Sequence, residues 1–256
     1  MASAAAAPDV RVVGGWASPF VMRVCVALRL KGVAYEFLQE ELGKKSGPLL
    51  ASNPVHKKMP VLLHGGRPVC ESLVIVQYVD ETFASAGPRI LPADPYDRAV
   101  HRFWAEYADA KLPTALRTLR GMIDGDKAEA AEQVASALGQ LEEAFAGCSK
   151  GRRFFGGDDV GFLDVVLGSY VGWFRAAEQI TGQPVLDEAR TPRFCAHEAV
   201  RDVMPDAAAS SSSARRSARR WRPVLHGRNG ADAARSRPGT SVSCEWASLN
   251  KFISVL

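Results

Sequence analysis

The stretch that most narrows what this chain can fold into is residues 10–38, where two short strand patterns flank a single helix. Val10 to Val13 is a β-branched run that passes through Gly14 and Gly15 into Trp16, as a strand does on entering a loop. From Pro19, at a first helical turn, Phe20, Val24, Ala27 and Leu28 recur at three- and four-residue spacing, and Lys31-Gly32 supplies the stop. Tyr35 to Leu38 reads as a second strand, so a β-α-β unit with parallel strands is complete by residue 38.

A hairpin comes next in the strand pattern. Val61 to His64 and Arg67 to Cys70 flank Gly65-Gly66, a pair able to take the positive φ of a tight turn. A helix then runs from Ser72 to Thr82, giving the order β-α-β, an irregular connection, then β-β-α. Gly87, Pro88, Pro92 and Pro95 mark an interdomain linker at 87–95, separating a first domain at 8–86 from a second at 96–206. In the second, Tyr96 to Arg120, Ala128 to Phe145 and Leu163 to Ile180 carry helical periodicity, which predicts an all-helical domain. Asp164, three positions after Gly161, resembles half of a capping box and reads as a helix-start device, not a catalyst. Residues 207–256 turn to Ala/Ser low complexity, then to an Arg-rich run, and read as a disordered basic tail.

Composition excludes several classes. With 256 residues and 47% hydrophobic content the chain can bury a sizeable core. The N-terminus lacks a basic flank followed by an apolar stretch, and eighteen consecutive apolar residues occur nowhere, so neither secretion nor a membrane span is expected. The five cysteines are scattered, odd in number and free of C-x-x-C spacing, which argues against a disulfide framework or a metal site and points to a reducing cytosol. The net charge of +4 misleads, because residues 207–256 hold nine Lys or Arg against two acidic residues, a balance of +7 that leaves −3 for residues 1–206. A slightly acidic folded part gives no reason to expect a nucleic-acid partner.

The chemistry concentrates at the loop between the first strand and helix. Ser18 in Trp16-Ala17-Ser18-Pro19-Phe20 sits where a helix begins, and the unpaired N–H groups there favour an anion such as a thiolate. Met59-Pro60-Val61-Leu62 and Glu71-Ser72-Leu73 are the other two pieces, and the three together say more than any one alone.

These blocks, with Asn53-Pro54-Val55-His56-Lys57-Lys58, Leu91-Pro92-Ala93-Asp94-Pro95-Tyr96 and Phe155-Gly156-Gly157 through Asp164, resemble the cytosolic glutathione transferases, and most closely the plant tau class. The resemblance covers residues 10 to about 190. It implies an α/β thioredoxin-like N-terminal domain that holds glutathione and an all-α C-terminal helical domain that holds a hydrophobic electrophile. Ser18 matches the active-site serine, whose hydroxyl favours the glutathione thiolate over a thiol of ordinary pKa about 8.5. Pro60 matches a cis proline, with Met59 offering its backbone to the cysteinyl part; Glu71 and Ser72 match the γ-glutamyl site, and Lys45, Lys58 and Asn53 the glycyl end. Phe20, Pro113, Leu116, Arg117 and Trp173 match the co-substrate pocket. Glutathione is then a co-substrate and no further cofactor is implied; a homodimer is. A glutathione-dependent oxidoreductase would place cysteine at position 18, and a non-catalytic binding protein would keep the glutathione site without turnover. After Thr191-Pro192 the chain departs from the family pattern, and past Asp206 the loss of apolar period is what a change of reading frame produces.

Overall fold

The computed structural model describes residues 9–41, 43–182 and 185. The basic tail and the end of the helical domain expected from the sequence lie outside those residues. Four strands form one mixed sheet: β1 (Val10–Gly14), β2 (Glu36–Gln39), β3 (Val61–His64) and β4 (Arg67–Cys70), in the order β2-β1-β3-β4. β1 and β2 are parallel, joined by α1 (Pro19–Leu30), while β3 runs antiparallel to both β1 and β4.

Alternation along the strands sorts side chains to two faces. Val10, Val12 and Leu62 join the cluster containing α1 and α3 (Ser72–Thr82), whereas Val13, Val61 and Leu63 meet Leu49 of α2 (Gly47–Ser52) on the other face. The helix α2 occupies what the sequence suggests is an irregular connection. It spans six residues, too few to show a period, and its start is made by Ser46, whose hydroxyl accepts from Leu49 N–H at 3.2 Å.

The second domain holds α4 (Pro95–Leu119), α5 (Lys127–Cys148), α6 (Phe162–Gly168) and α7 (Val171–Thr181). The single helix expected over 163–180 is two. Ser169 donates to the Val166 carbonyl at 2.6 Å, and Tyr170 and Trp173 N–H groups turn to i−3 acceptors, Leu167 at 3.0 Å and Tyr170 at 2.8 Å. Asp164 is a helix-start device, fully buried, accepting from the N–H groups of Phe155, Gly156 and Gly161 at 3.0, 2.9 and 2.9 Å. Burial pushes its carboxyl up to about 7, and those three donors oppose the rise.

The connector from α3 to α4 is fastened throughout. Asp80 accepts from Ile90 and Leu91 N–H, each at 2.9 Å, and pairs with Lys31 at 2.7 Å in a buried site. Gly87, with φ +71, crosses the end of α1 so closely that a Cβ there would lie 2.2 Å from the Leu30 carbonyl oxygen. One cluster of buried apolar side chains, including Leu28, Ile75, Leu112 and Phe162, runs through both domains.

Candidate active site at one end of the sheet

Strand register decides where the predicted residues meet. Val13 pairs with Val61, and Val61 with Cys70, so β1 ends, β3 begins and β4 ends at the same edge of the sheet. Gly14 opposite Gln39 puts the end of β2 there too. Consequently the loop to Ser18, the Met59-Pro60 dipeptide, the Glu71-Ser72 step and the segment leading to Lys45 all leave one end of the sheet, where α1 and α3 also begin.

Ser18 is the N-cap of α1, extended at φ −89° and ψ 122°, half-buried, and its side chain makes no capping hydrogen bond. Its N–H donates to the Gly15 carbonyl at 3.0 Å, closing a turn that presents the residue. Gly14 sits under that turn, where a Cβ would lie 2.6 Å from a Val21 methyl of α1. The Met59–Pro60 bond is cis. The Met59 sulfur accepts from Gly15 N–H at 3.0 Å, tying that dipeptide to the serine turn.

Glu71 is the N-cap of α3 with φ 70°, a left-handed backbone that costs a residue with a side chain about 1–3 kcal/mol and is kept where a function needs it. Its carboxylate is largely exposed, with His56 Nε2 3.9 Å away. Ser72 is the first helical residue, buried, and its oxygen accepts from Arg23 Nη1 at 3.2 Å. Asn53 is buried and braced: Nδ2 donates to the Lys58 carbonyl at 2.9 Å and Oδ1 accepts from His56 N–H at 3.1 Å. The carboxamide thus braces the 53–58 loop. Lys45 and Lys58 are exposed on the flank.

Of the residues expected at the electrophile side, Phe20 and Trp173 meet edge to face, with centroids 6.4 Å apart. Pro113 is half-buried and Arg117, one turn on, is exposed. Leu116 has no exposed surface and belongs to the core between helices. The sequence reading also missed Arg120, the C-cap of α4, whose guanidinium carbon lies 4.8 Å over the Trp173 ring. Position i+7 from Pro113 was the available signal.

Arg23 is the larger omission. Wholly buried in α1, it grips Asp109 of α4 with two bonds of 2.8 and 2.6 Å, donates to Ser169 Oγ at 3.2 Å, and lies over the rings of Phe20 and Tyr170 at 5.0 and 5.1 Å. Tyr170 O–H donates to the same carboxylate at 2.9 Å. Burial works against the Arg23 charge, yet Tyr170 and Asp109 outweigh it and hold the pKa above the ordinary arginine value. One cation therefore joins Ser72, at the mouth of the site, to both halves of the molecule.

Sheet order, cis proline and helical second half define the class: a thioredoxin-like domain joined to a helical one. A family model for the N-terminal domain of glutathione S-transferases matches residues 15–88. Glutathione S-transferase U17 of Arabidopsis thaliana is 51% identical over 211 residues, covering 79% of this chain and 93% of the relative. The solved tau-class glutathione S-transferase of mango, Mangifera indica, is 47% identical with TM-score 0.75, over 80% of this chain and 97% of that one. Rice GST1, solved in complex with glutathione, is 39% identical with TM-score 0.68, over 78% of this chain and 93% of that one. The chain belongs to the tau class of the glutathione S-transferases. Among the described residues no helix is long and apolar enough to cross a membrane.

Proposed function

We propose that this transferase joins the sulfur of glutathione to hydrophobic electrophiles in the cytosol, with Ser18 as the residue that stabilises the reacting thiolate. The observation that carries this reading is the Ser18 hydroxyl, which heads α1 without capping it, at the sheet end shared by Met59-Pro60 and Glu71-Ser72. A hydroxyl so placed donates to a sulfur beside a helix N-terminus, and both features favour S⁻ over SH. Serine at this position supports transfer over thiol-disulfide exchange, for which a cysteine would be required. The rice relative's glutathione complex supports the same ligand here.

The ligand's charges fit the remaining groups. Glu71 receives the γ-glutamyl ammonium, and the Ser72 hydroxyl and N–H receive its carboxylate. Because Arg23 donates to the Ser72 oxygen, the hydroxyl hydrogen is left to point at that carboxylate. The backbone of Met59 pairs with the cysteinyl unit, and Lys45 and Lys58 draw the glycyl carboxylate. Phe20, Pro113, Arg117 and Trp173 border the electrophile. With an aromatic halide, the thiolate electron pair forms the carbon–sulfur bond, the halide leaves with the bonding pair, and the thiol proton goes to solvent.

Retention on immobilised glutathione, paired with conjugation of an aromatic halide, tests the proposal. Ser18→Ala keeps retention and loses turnover; equal turnover in both proteins overturns the role of Ser18, and retention without turnover in the unaltered chain leaves a binding protein. The homodimer is tested by sedimentation of the full chain.

A further inference from the structure

The turn carrying Ser18 is held from the other domain. Trp173 of α7 donates its indole N–H to the backbone carbonyl of Ala17 at 3.0 Å, across 156 positions of sequence. That carbonyl and the Ser18 N–H share one rigid peptide plane. The N–H end of the plane is already bonded to the Gly15 carbonyl at 3.0 Å. With its oxygen and its nitrogen both engaged, the plane cannot rotate without losing two hydrogen bonds, so ψ of Ala17 and φ of Ser18 are fixed together.

Trp173 is itself set in place by aromatic contacts. Its ring meets Phe20, two residues beyond Ser18, at 6.4 Å, and Tyr170 at 6.3 Å, both edge on. The Arg120 guanidinium over the indole face draws electron density from the ring and strengthens the N–H as a donor. A half-buried indole needs some acceptor for its N–H. Here that acceptor is the carbonyl of the residue preceding Ser18.

We propose that Trp173 is a positioning residue for thiolate formation: its indole N–H fixes the Ala17–Ser18 peptide so that the serine hydroxyl meets the glutathione sulfur. The inference rests on the reading of Ser18 given above. It makes sulfur activation in the first domain depend on a side chain of the second, so occupancy of the electrophile side reaches the serine through one bond. Lining the pocket and steering the turn are separable duties of the same ring.

Trp173→Phe keeps an aromatic body and removes the donor. The primary readout is the thiolate ultraviolet absorbance of the protein–glutathione complex titrated with pH, which needs no electrophile. The titration midpoint rises by about half a unit in this variant. Turnover falls about 10-fold, with KM for glutathione held within about twofold. Trp173→His, which retains a ring N–H, recovers part of the shift. A site-specific benzothienyl analogue of Trp173, shaped like indole but without the N–H, gives the same shift even if the Phe variant folds poorly. An unchanged midpoint in the Phe variant or in the analogue, with only KM for the electrophile raised, overturns the proposal and leaves Trp173 as a pocket wall. Ser18→Ala is titrated alongside. If it leaves the midpoint unmoved, the Ser18 reading itself fails; if it moves the midpoint and loss of the indole N–H does not, only the positioning role fails.

Discussion

Two helix starts at the sheet end, those of α1 and α3, and two in the second domain, those of α4 and α5, are built in opposite ways. In α4 and α5 the N-cap aspartates close their own first turns, Asp94 on the N–H groups of Tyr96 and Asp97, and Asp126 on those of Ala128 and Glu129. Gly161, the N-cap of α6, has no capping side chain, and the buried Asp164 carboxylate takes its N–H together with those of Phe155 and Gly156 in the loop before the helix. By contrast, Ser18 and Glu71, the N-caps of α1 and α3, make no capping bond at all. An N-cap bond satisfies a donor the helix cannot. On the glutathione reading proposed above, leaving it unmade at the starts of α1 and α3 keeps the donors and the positive dipole ends for the ligand. The difference separates residues that hold the protein together from residues held ready by it.

Four measurements can break or sharpen that contrast. The largest effect is expected at Asp164: Asp164→Ala strands the buried N–H groups of Phe155 and Gly161, releases that of the exposed Gly156, and costs about 4 kcal/mol in urea unfolding. At the open end, Ser18→Ala lowers kcat/KM about 100-fold, near 2.7 kcal/mol of transition-state stabilisation, yet shifts stability by less than about 0.5 kcal/mol. A stability loss of a full cap's worth would make Ser18 an ordinary cap and erase the contrast.

The third measurement concerns acid. His101 of α4 is buried beside Asp97 and Lys150; burial lowers its pKa from 6.5 to about 4, against the pull of Asp97. The unfolded chain takes up the proton first, so stability is full above 6.5 and falls as pH drops toward 4. Unfolding free energies compared at about pH 7 and about pH 4.5 should differ by about 2 kcal/mol, and His101→Gln should flatten that limb. The smallest effect belongs to Asp126→Ala, which loses about 1 kcal/mol of stability with turnover unchanged.

Sequence pattern located much of this because most elements are fixed locally. The run from Val10 to Val13, the apolar spacing after Pro19 and the Gly65-Gly66 pair each act through neighbours a few residues away, and β1, α1, β3, β4 and α3 fall where those signals put them. α2 escaped because six residues show no period. The break at Ser169 directly follows Gly168, and with no proline between Phe162 and Phe174 the apolar spacing carries across it. Within the site, the three loop motifs were legible, whereas Arg23 was not: a lone cation in an apolar helix shows its purpose only through partners 49, 86 and 146 positions away. The burial of Asn53 and of Leu116 likewise depends on packing that residue type does not print.

The crossing at Gly87 has a bearing on anyone who would re-engineer this enzyme. Grafting a foreign helical half onto this sheet domain, to change which electrophiles it accepts, looks simple at a proline-rich seam. With no room for even a methyl group over Leu30, and with Asp80 bound to Lys31 and to the backbone at Ile90 and Leu91, a splice inside 80–91 would separate parts that were fitted as one piece. A working chimera has to join beyond Leu91.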